Sequence, residues 1–233
     1  MSMISDLRDG VLTLTLNRPD KLNAINNVLA QCLLDALRSA AADPGIRVVR
    51  LRGNGRAFCA GRDVSEPPTE CDLALVQEVA QAIVRLPQPV VADVHGWTLG
   101  AGFEWMMDAD VVVAGRSARF RLPEASLGVF VTGGLSTTLQ ATVGLGRARS
   151  LMLLGETFDA QQALDWGLAY RVVDDTDREA ASWQVANTLA ALEPEVARAF
   201  KRILNQIGLS AFDRDIEVEN EAQRLLSALA RPT

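Results

Sequence analysis

Cysteine, histidine and lysine are all scarce in this 233-residue chain, and each scarcity excludes something. Cys32, Cys59 and Cys71 are odd in number and lack C-x-x-C spacing, so reduced thiols are expected, with neither a disulfide framework nor a metal site. His95 is the single histidine, and no serine or cysteine nucleophile motif surrounds it. A structural hydrogen-bonding role is expected for it. Only two of the 23 basic residues are lysines, no basic run occurs, and the net charge is −6. These features exclude a general nucleic-acid binder, although a few arginines and helix N-termini suffice for a small anion. No apolar run reaches membrane-spanning length, and MSMISDLRDG lacks a basic-then-apolar signal pattern. A cytoplasmic location, with no membrane partner, is the expectation.

What is present is an ordinary globular balance, 48% apolar and 22% charged, with enough length for a core that needs no staple. Residues 4–16 read as a hairpin: Leu12, Leu14 and Leu16 alternate with threonines, and Arg8-Asp9-Gly10 supplies the turn. Leu29, Cys32, Leu33, Ala36 and Leu37 predict a helix over 27–42, which Pro44-Gly45 ends. Buried strands are expected at 46–51, 90–94 and 110–114, with a short one at 118–121. A glycine-rich loop follows the first of these, a short linker with two prolines covers 65–70, and Asp72 is expected to cap a helix through residue 86. A turn over 96–102 opens a further helix. This alternation predicts an α/β fold with a mainly parallel sheet. The second half reads as helices at 133–143, 148–154, 160–166, 179–192, 194–206 and 212–230, with one strand at 169–173. It is expected to be packing and assembly surface.

The chemistry concentrates in residues 94–124. Gly100-Ala101-Gly102 lets backbone donors approach a ligand, Glu104 follows one helical turn later, and Pro123-Glu124 closes the stretch. A second loop, Ala60-Gly61-Arg62-Asp63, lies after the preceding strand. If both loops leave the same sheet edge, the N–H groups near Arg62 and Ala101 can converge on one oxygen, with carboxylates nearby to move protons. Each signal alone also has a plain reading. An acid in a first helical turn suits the dipole whatever its chemistry, Arg62 and Asp63 read as a solvated pair, and Cys59 reads as packing.

The joint order of motifs is more specific than any one of them. LNRPDKLNAI, AFCAGRD, HGWTLGAGFEW, DADVVVAG, RFRLPEASLG and DAQQALDWGLAYRVV together resemble the enoyl-CoA hydratase/isomerase (crotonase) family over residues 10–206. The resemblance implies the crotonase fold, with repeated ββα units forming a twisted sheet core over 1–186. It also implies a helical region over 187–233 that mediates assembly into a homotrimer or into a hexamer of two stacked trimers. It implies an acyl-CoA substrate, no permanently bound cofactor and no metal. The family's oxyanion-hole donors fall on the backbone N–H of Arg62 and Ala101, and its two hydratase glutamates on Glu104 and Glu124. Coenzyme A contacts fall on Lys21, Leu22, Ala24, Ala60, Gly61 and Arg62.

Hydration of a 2-enoyl-CoA to a 3-hydroxyacyl-CoA is the implied reaction. A 3-enoyl to 2-enoyl isomerase, which manages with one carboxylate, is the alternative within the fold. A non-catalytic acyl-CoA-binding or assembly member is the alternative of another class. The chain departs from the family pattern at Ala101, at Arg62, over 129–134 where a Pro-Gly-containing segment is usual, and after residue 226. There the family continues into a further helix and a basic, aromatic tail, so weaker coenzyme A binding or a different lid is expected.

Overall fold

The computed structural model describes residues 1–65 and 69–229. Strands β1 (Met3–Arg8) and β2 (Val11–Leu16) form the expected hairpin, with Arg8 opposite Val11. Asp9 (φ 51°) and Gly10 (φ 77°) both take the left-handed region, the pair of positive φ angles that a two-residue type I′ turn requires. Helix α1 (Asn27–Ala42) begins where Asn26 accepts from the Leu29 N–H at 3.0 Å, and it buries Leu29, Leu33 and Leu37. Its bounds are those the apolar spacing predicts.

From β3 onward the chain repeats one motif: a strand of a large sheet, a short strand of a second sheet, then a helix. The first repeat is β3 (Val48–Gly53), β4 (Ala57–Cys59) and α2 (Glu70–Arg85). The second is β5 (Val90–Val94), β6 (Trp97–Leu99) and α3 (Ala101–Met107). The third is β7 (Val111–Gly115), β8 (Arg119–Arg121) and the short α4 (Glu124–Leu127). Then come α5 (Leu135–Leu154), β9 (Phe158–Asp159), α6 (Ala160–Asp165) and β10 (Arg171–Val173). Helices α7 (Arg178–Ala190), α8 (Pro194–Gly208) and α9 (Phe212–Leu229) complete the described chain.

The large sheet runs β1-β2-β3-β5-β7-β10, parallel except for β1. The small one runs β4-β6-β8-β9, parallel except for β9. The repeated ββα units of the crotonase fold are therefore present.

Several local expectations are corrected. The glycine-rich loop and the 96–102 turn each contain a strand, β4 and β6, and a further strand, β9, precedes α6. Helix α2 starts earlier than expected: Thr69 is its N-cap, and Asp72 is the third residue of a reciprocal capping box. The two helices expected over 133–154 are joined end to end, with Gly144 at φ 75° marking the kink. Pro67, Pro68 and Ala230, which fall in expected elements, lie outside the described residues. No helix among the described residues is long and apolar enough to cross a membrane.

The main core lies between the sheets and helices α1, α2, α3 and α5, with Trp105, Phe58, Phe103 and Phe120 fully buried. On the other face of the large sheet, α7 covers a smaller apolar cluster and a buried ionic one. Asp93 of β5 is wholly buried, accepts from Arg50 Nη2 of β3 at 2.6 Å and pairs with Arg178 of α7. Arg50 Nε also donates to Ser182 Oγ at 3.0 Å. Losing one member of such a cluster strands its partners' charge in the interior. Asp93→Ala is expected to lower unfolding free energy by about 3–5 kcal/mol, read as a drop in the urea midpoint with an unchanged slope.

Candidate active site

Two short strands carry the backbone of the site. Because β4 and β6 are parallel neighbours, the segments after Cys59 and Leu99 leave the small sheet together. Gly61, at φ 81°, turns the first segment so closely past the second that a Cβ on it would lie 2.8 Å from Leu99 O and 3.6 Å from Ala101 N. Only glycine permits that approach. Beyond it, Arg62 pairs with Ile25 in a single parallel bridge: Ile25 N donates to Gly61 O and Asp63 N donates to Ile25 O, both at 2.8 Å.

This pairing turns the Arg62 N–H away from Ile25, and it has no backbone acceptor among the described residues. Ala101 opens α3, where an N–H has no intrahelical acceptor. The structure thus brings together two loops that each offer an unused main-chain donor. The Arg62 side chain turns to α2, donating to Asp72 O at 2.9 Å, while Asp63 pairs with Arg18 at 2.9 Å. Arg62 and Asp63 are therefore not the solvated pair that adjacency suggests.

The loop 21–24 runs alongside. Ala60 N donates to Leu22 O at 3.0 Å, so Lys21, Leu22 and Ala24 border Ala60, Gly61 and Arg62. Leu22 (φ 50°) and Asn23 (φ 56°) are consecutive left-handed residues. The buried Asn23 amide holds them, accepting from Arg18 N at 2.8 Å and donating to Asn54 O and Ala57 O at 2.9 and 2.8 Å. Cys59 Sγ completes the knot by donating to Asn23 O at 3.2 Å, and burial pushes its thiol up to about 12, which leaves it unreactive. His95 Nε2 lies 2.8 Å from Gly55 O, a hydrogen bond in keeping with the structural role expected of it.

Glu124 lies against the start of α3, and Glu104, one turn into that helix, is its electrostatic neighbour. Glu124 Oε1 lies 2.6 Å from where a Gly100 Cβ would stand, beside the Ala101 amide, and its Oε2 is buried without a hydrogen-bond partner among the described residues. Burial holds its carboxyl up to about 7, against a modest opposing pull from its own backbone amide. Glu104 is 2% exposed, and its Oε2 lies against Gly133, where any side chain would overlap it. Burial first, then the neighbouring Glu124 and Glu219 carboxyls, raise it well above the usual range. The Thr132 and Gly133 amides only partly offset that. Two buried carboxyls whose titration is linked can hand a proton between acid and base roles at neutral pH.

The helical half, expected to be packing and assembly surface, also carries a buried acid next to Glu104. Glu219 on α9 is 1% exposed and accepts from Gly134 N and Ser136 N, both at 2.8 Å, next to the glycine that Glu104 meets. Asp108, one turn beyond Glu104 at the C-cap of α3, is buried with both carboxyl oxygens unpartnered among the described residues. Burial and then Glu104 push it up strongly. Glu219 sits among other acids on a polar helix, so only its tertiary burial distinguishes it. Asp108 had a faint signal, an acid on the buried face four residues after Glu104.

Comparison with known proteins places this geometry in context. The family model described as enoyl-CoA hydratase/isomerase matches residues 6–229. The chain is 38% identical to the 2,3-dehydroadipyl-CoA hydratase of Escherichia coli K12, over 97% of this chain and 90% of that protein. It is 34% identical to the 1,2-epoxyphenylacetyl-CoA isomerase of the same organism, over 96% and 89%. Among solved structures, an enoyl-CoA hydratase from Mycobacterium avium subsp. paratuberculosis K-10 aligns with a TM-score of 0.93 and 33% identity, over 100% of this chain and 92% of that one.

The raised Glu124 has a consequence for stability. Its folded value of about 7 exceeds the ordinary 4.5, so the folded chain holds a proton that the unfolded chain releases between those limits. Its contribution to stability is therefore lost as pH rises through that window. Glu124→Gln is expected to raise the thermal midpoint above pH ~8 while changing it little below pH ~5, as read by calorimetry at the two limits.

Proposed function

This chain belongs to the enoyl-CoA hydratase/isomerase family, and from that premise we propose that it hydrates a 2-enoyl-CoA to a 3-hydroxyacyl-CoA. The observation that carries this reading is a pair of neighbouring glutamates, each with a buried oxygen unpartnered among the described residues, one of them beside a backbone with two unused donors. Adding water to a 2-enoyl thioester moves negative charge onto the thioester oxygen. The N–H groups of Arg62 and Ala101 would receive that oxygen as its charge develops, and the N-terminus of α3 adds a positive dipole end.

Hydration also needs a carboxylate to take a proton from water at the β-carbon and an acid to protonate the α-carbon. Glu104 and Glu124 together supply both. Glu104, against Gly133, is the water holder, and Glu124, beside the Ala101 amide, protonates the α-carbon. The Glu124 carboxyl raises the proton affinity of Glu104, so the two titrate as a linked pair. The coenzyme A moiety would run along Lys21, Leu22 and Ala24 and across Ala60, Gly61 and Arg62, chiefly on main-chain groups. It enters and leaves as part of the substrate, and the chemistry calls on no resident cofactor or metal.

Isomerisation of a 3-enoyl-CoA is the second reading. It is favoured by Glu124, which burial pushes up to about 7, where one group can serve as both base and acid. The assembly in this reading is a trimer or a pair of trimers. Its support is the apolar face of α8, where Phe200, Leu204 and Ile207 are exposed. The setting is the cytoplasm, consistent with three free thiols.

Incubation with 2-enoyl- and 3-enoyl-CoA thioesters in isotopic water separates the readings by mass spectrometry. Oxygen gained at the β-carbon supports hydration, and proton exchange without oxygen supports isomerisation. Neither, with coenzyme A still bound, overturns both. Glu124→Gln is expected to lower either turnover on the order of 10²- to 10⁴-fold, whereas Glu104→Gln lowers hydration far more than isomerisation. Equal loss in an isomerase assay would refute that division of roles.

A further inference from the structure

One face of α9 is stitched, residue by residue, to the segment that walls Glu104. Phe212, Asp215, Glu219 and Gln223 recur every three or four residues and so line one side of the helix. The Phe212 ring packs against Gly134, which is at φ 81°. Asp215 Oδ2 accepts from Thr137 Oγ1 at 2.7 Å, and Gln223 Oε1 accepts from Phe130 N at 2.7 Å. Between them Glu219 caps the start of α5, its two oxygens accepting one N–H each from Gly134 and Ser136.

From the other side, Gln77 of α2 donates to Thr132 O at 2.5 Å and to Asn220 Oδ1 at 3.0 Å. The 130–137 segment is thus held at four points by α9 and at a fifth by α2. In its middle is Gly133, the residue pressed against Glu104 Oε2.

We propose that Glu219 is a positioning residue: by capping α5 with both carboxylate oxygens it fixes Gly133 against Glu104, and so fixes the geometry and proton affinity of that acid. Three features make the assignment specific. A carboxylate buried at 1% exposure is costly to retain, so it must be compensated. Burial raises its carboxyl, and the opposing pull comes from the Ser136 and Gly134 amides and the Ser136 side chain at a helix N-terminus, where a negative charge is favoured. And those N–H groups belong to the residue next to Gly133 and to one two positions beyond, so the cap cannot loosen without moving the wall. The titratable groups facing Glu104 are Glu124 of α4, Asp108 of its own helix and Glu219. Asp215 faces Glu219, and Lys201 of α8 faces Asp108.

The inference rests on Glu104 being a working acid, and its test is chosen to stand apart from turnover. The carboxyl of Glu104 is titrated by carbon-13 NMR, assigned with Glu104→Gln, in the full-length protein and in Glu219→Gln and Glu219→Ala. Glu219→Gln keeps the side-chain shape and one acceptor, so it reports even where Glu219→Ala fails to fold.

The expected result is a Glu104 titration that moves to lower pH in both Glu219→Gln and Glu219→Ala, because the Gly133 wall that shields it loosens as a neighbouring carboxyl is lost. Amide exchange at Gly134 and Ser136 should accelerate in both variants. With an enoyl-CoA substrate, kcat should fall on the order of tenfold to a hundredfold with KM little changed, as expected when a catalytic group is misplaced by a fraction of an ångström. Faster amide exchange with an unmoved Glu104 titration would overturn the proposal and leave Glu219 a structural cap only. Absence of turnover in the unaltered protein would count against the hydratase reading, while the titration would still decide the role of Glu219.

Discussion

The approach of main chain to main chain at Gly61, where a Cβ would come within 2.8 Å of Leu99 O, is the constraint on which the site depends. Parallel pairing of β4 with β6 delivers the two segments, but strand spacing alone would keep the loops beyond them apart. Glycine at a left-handed turn lets one fold over the other. Everything downstream uses that contact: the Arg62 amide is turned outward by its bridge to Ile25, the Ala101 amide starts α3, and α3 carries Glu104 inward. The donors are backbone atoms held by a sheet and a helix, so their positions do not depend on flexible side chains.

A fold that buries several carboxyls around one short helix accepts a destabilising cost. Glu104, Asp108 and Glu219 are each less than a tenth exposed, and Glu124 is largely shielded. Burial raises the proton affinity of Glu104 and Asp108, which have unpartnered oxygens among the described residues, while Glu219 accepts from two amides. The ionic cluster on the other face of the sheet solves the same problem differently: Asp93 has arginines on both sides. One buried network has its charges matched, and the other is left short of partners. The unmatched one lies where the chemistry is proposed.

Much of this was legible in the sequence, and what was not had physical reasons. The Asp9-Gly10 turn and the Leu29-Leu33-Leu37 stripe fixed a hairpin and a helix, because local turn chemistry and periodicity suffice for long or tightly turned elements. The strand at 90–94 was legible as a short apolar run between turn signals. Strands β4, β6 and β9, two or three residues each, were not, because so short a stretch has no period and exists only through its neighbours. Asp72 was recognisable as a capping acid, but a capping box offers two residues and the sequence does not say which is the cap.

For the site, Glu104 and Glu124 were each as consistent with a plain helix start as with catalysis, and only the order of motifs raised them. Glu219 was invisible among Glu217 and Glu221, since its burial comes from where α9 docks, which no local pattern encodes.

The knot around Asn23 bears on the proposed coenzyme A contacts. Two successive residues in left-handed conformations, neither of them glycine, are held by a buried amide, an arginine and a thiol, all contributed by this chain. Ordering a residue's backbone costs about 1–2 kcal/mol, and here that entropy is surrendered during folding, before any ligand arrives. Association along this edge can therefore proceed as docking onto a finished surface, with little of the binding energy diverted into arranging the loop.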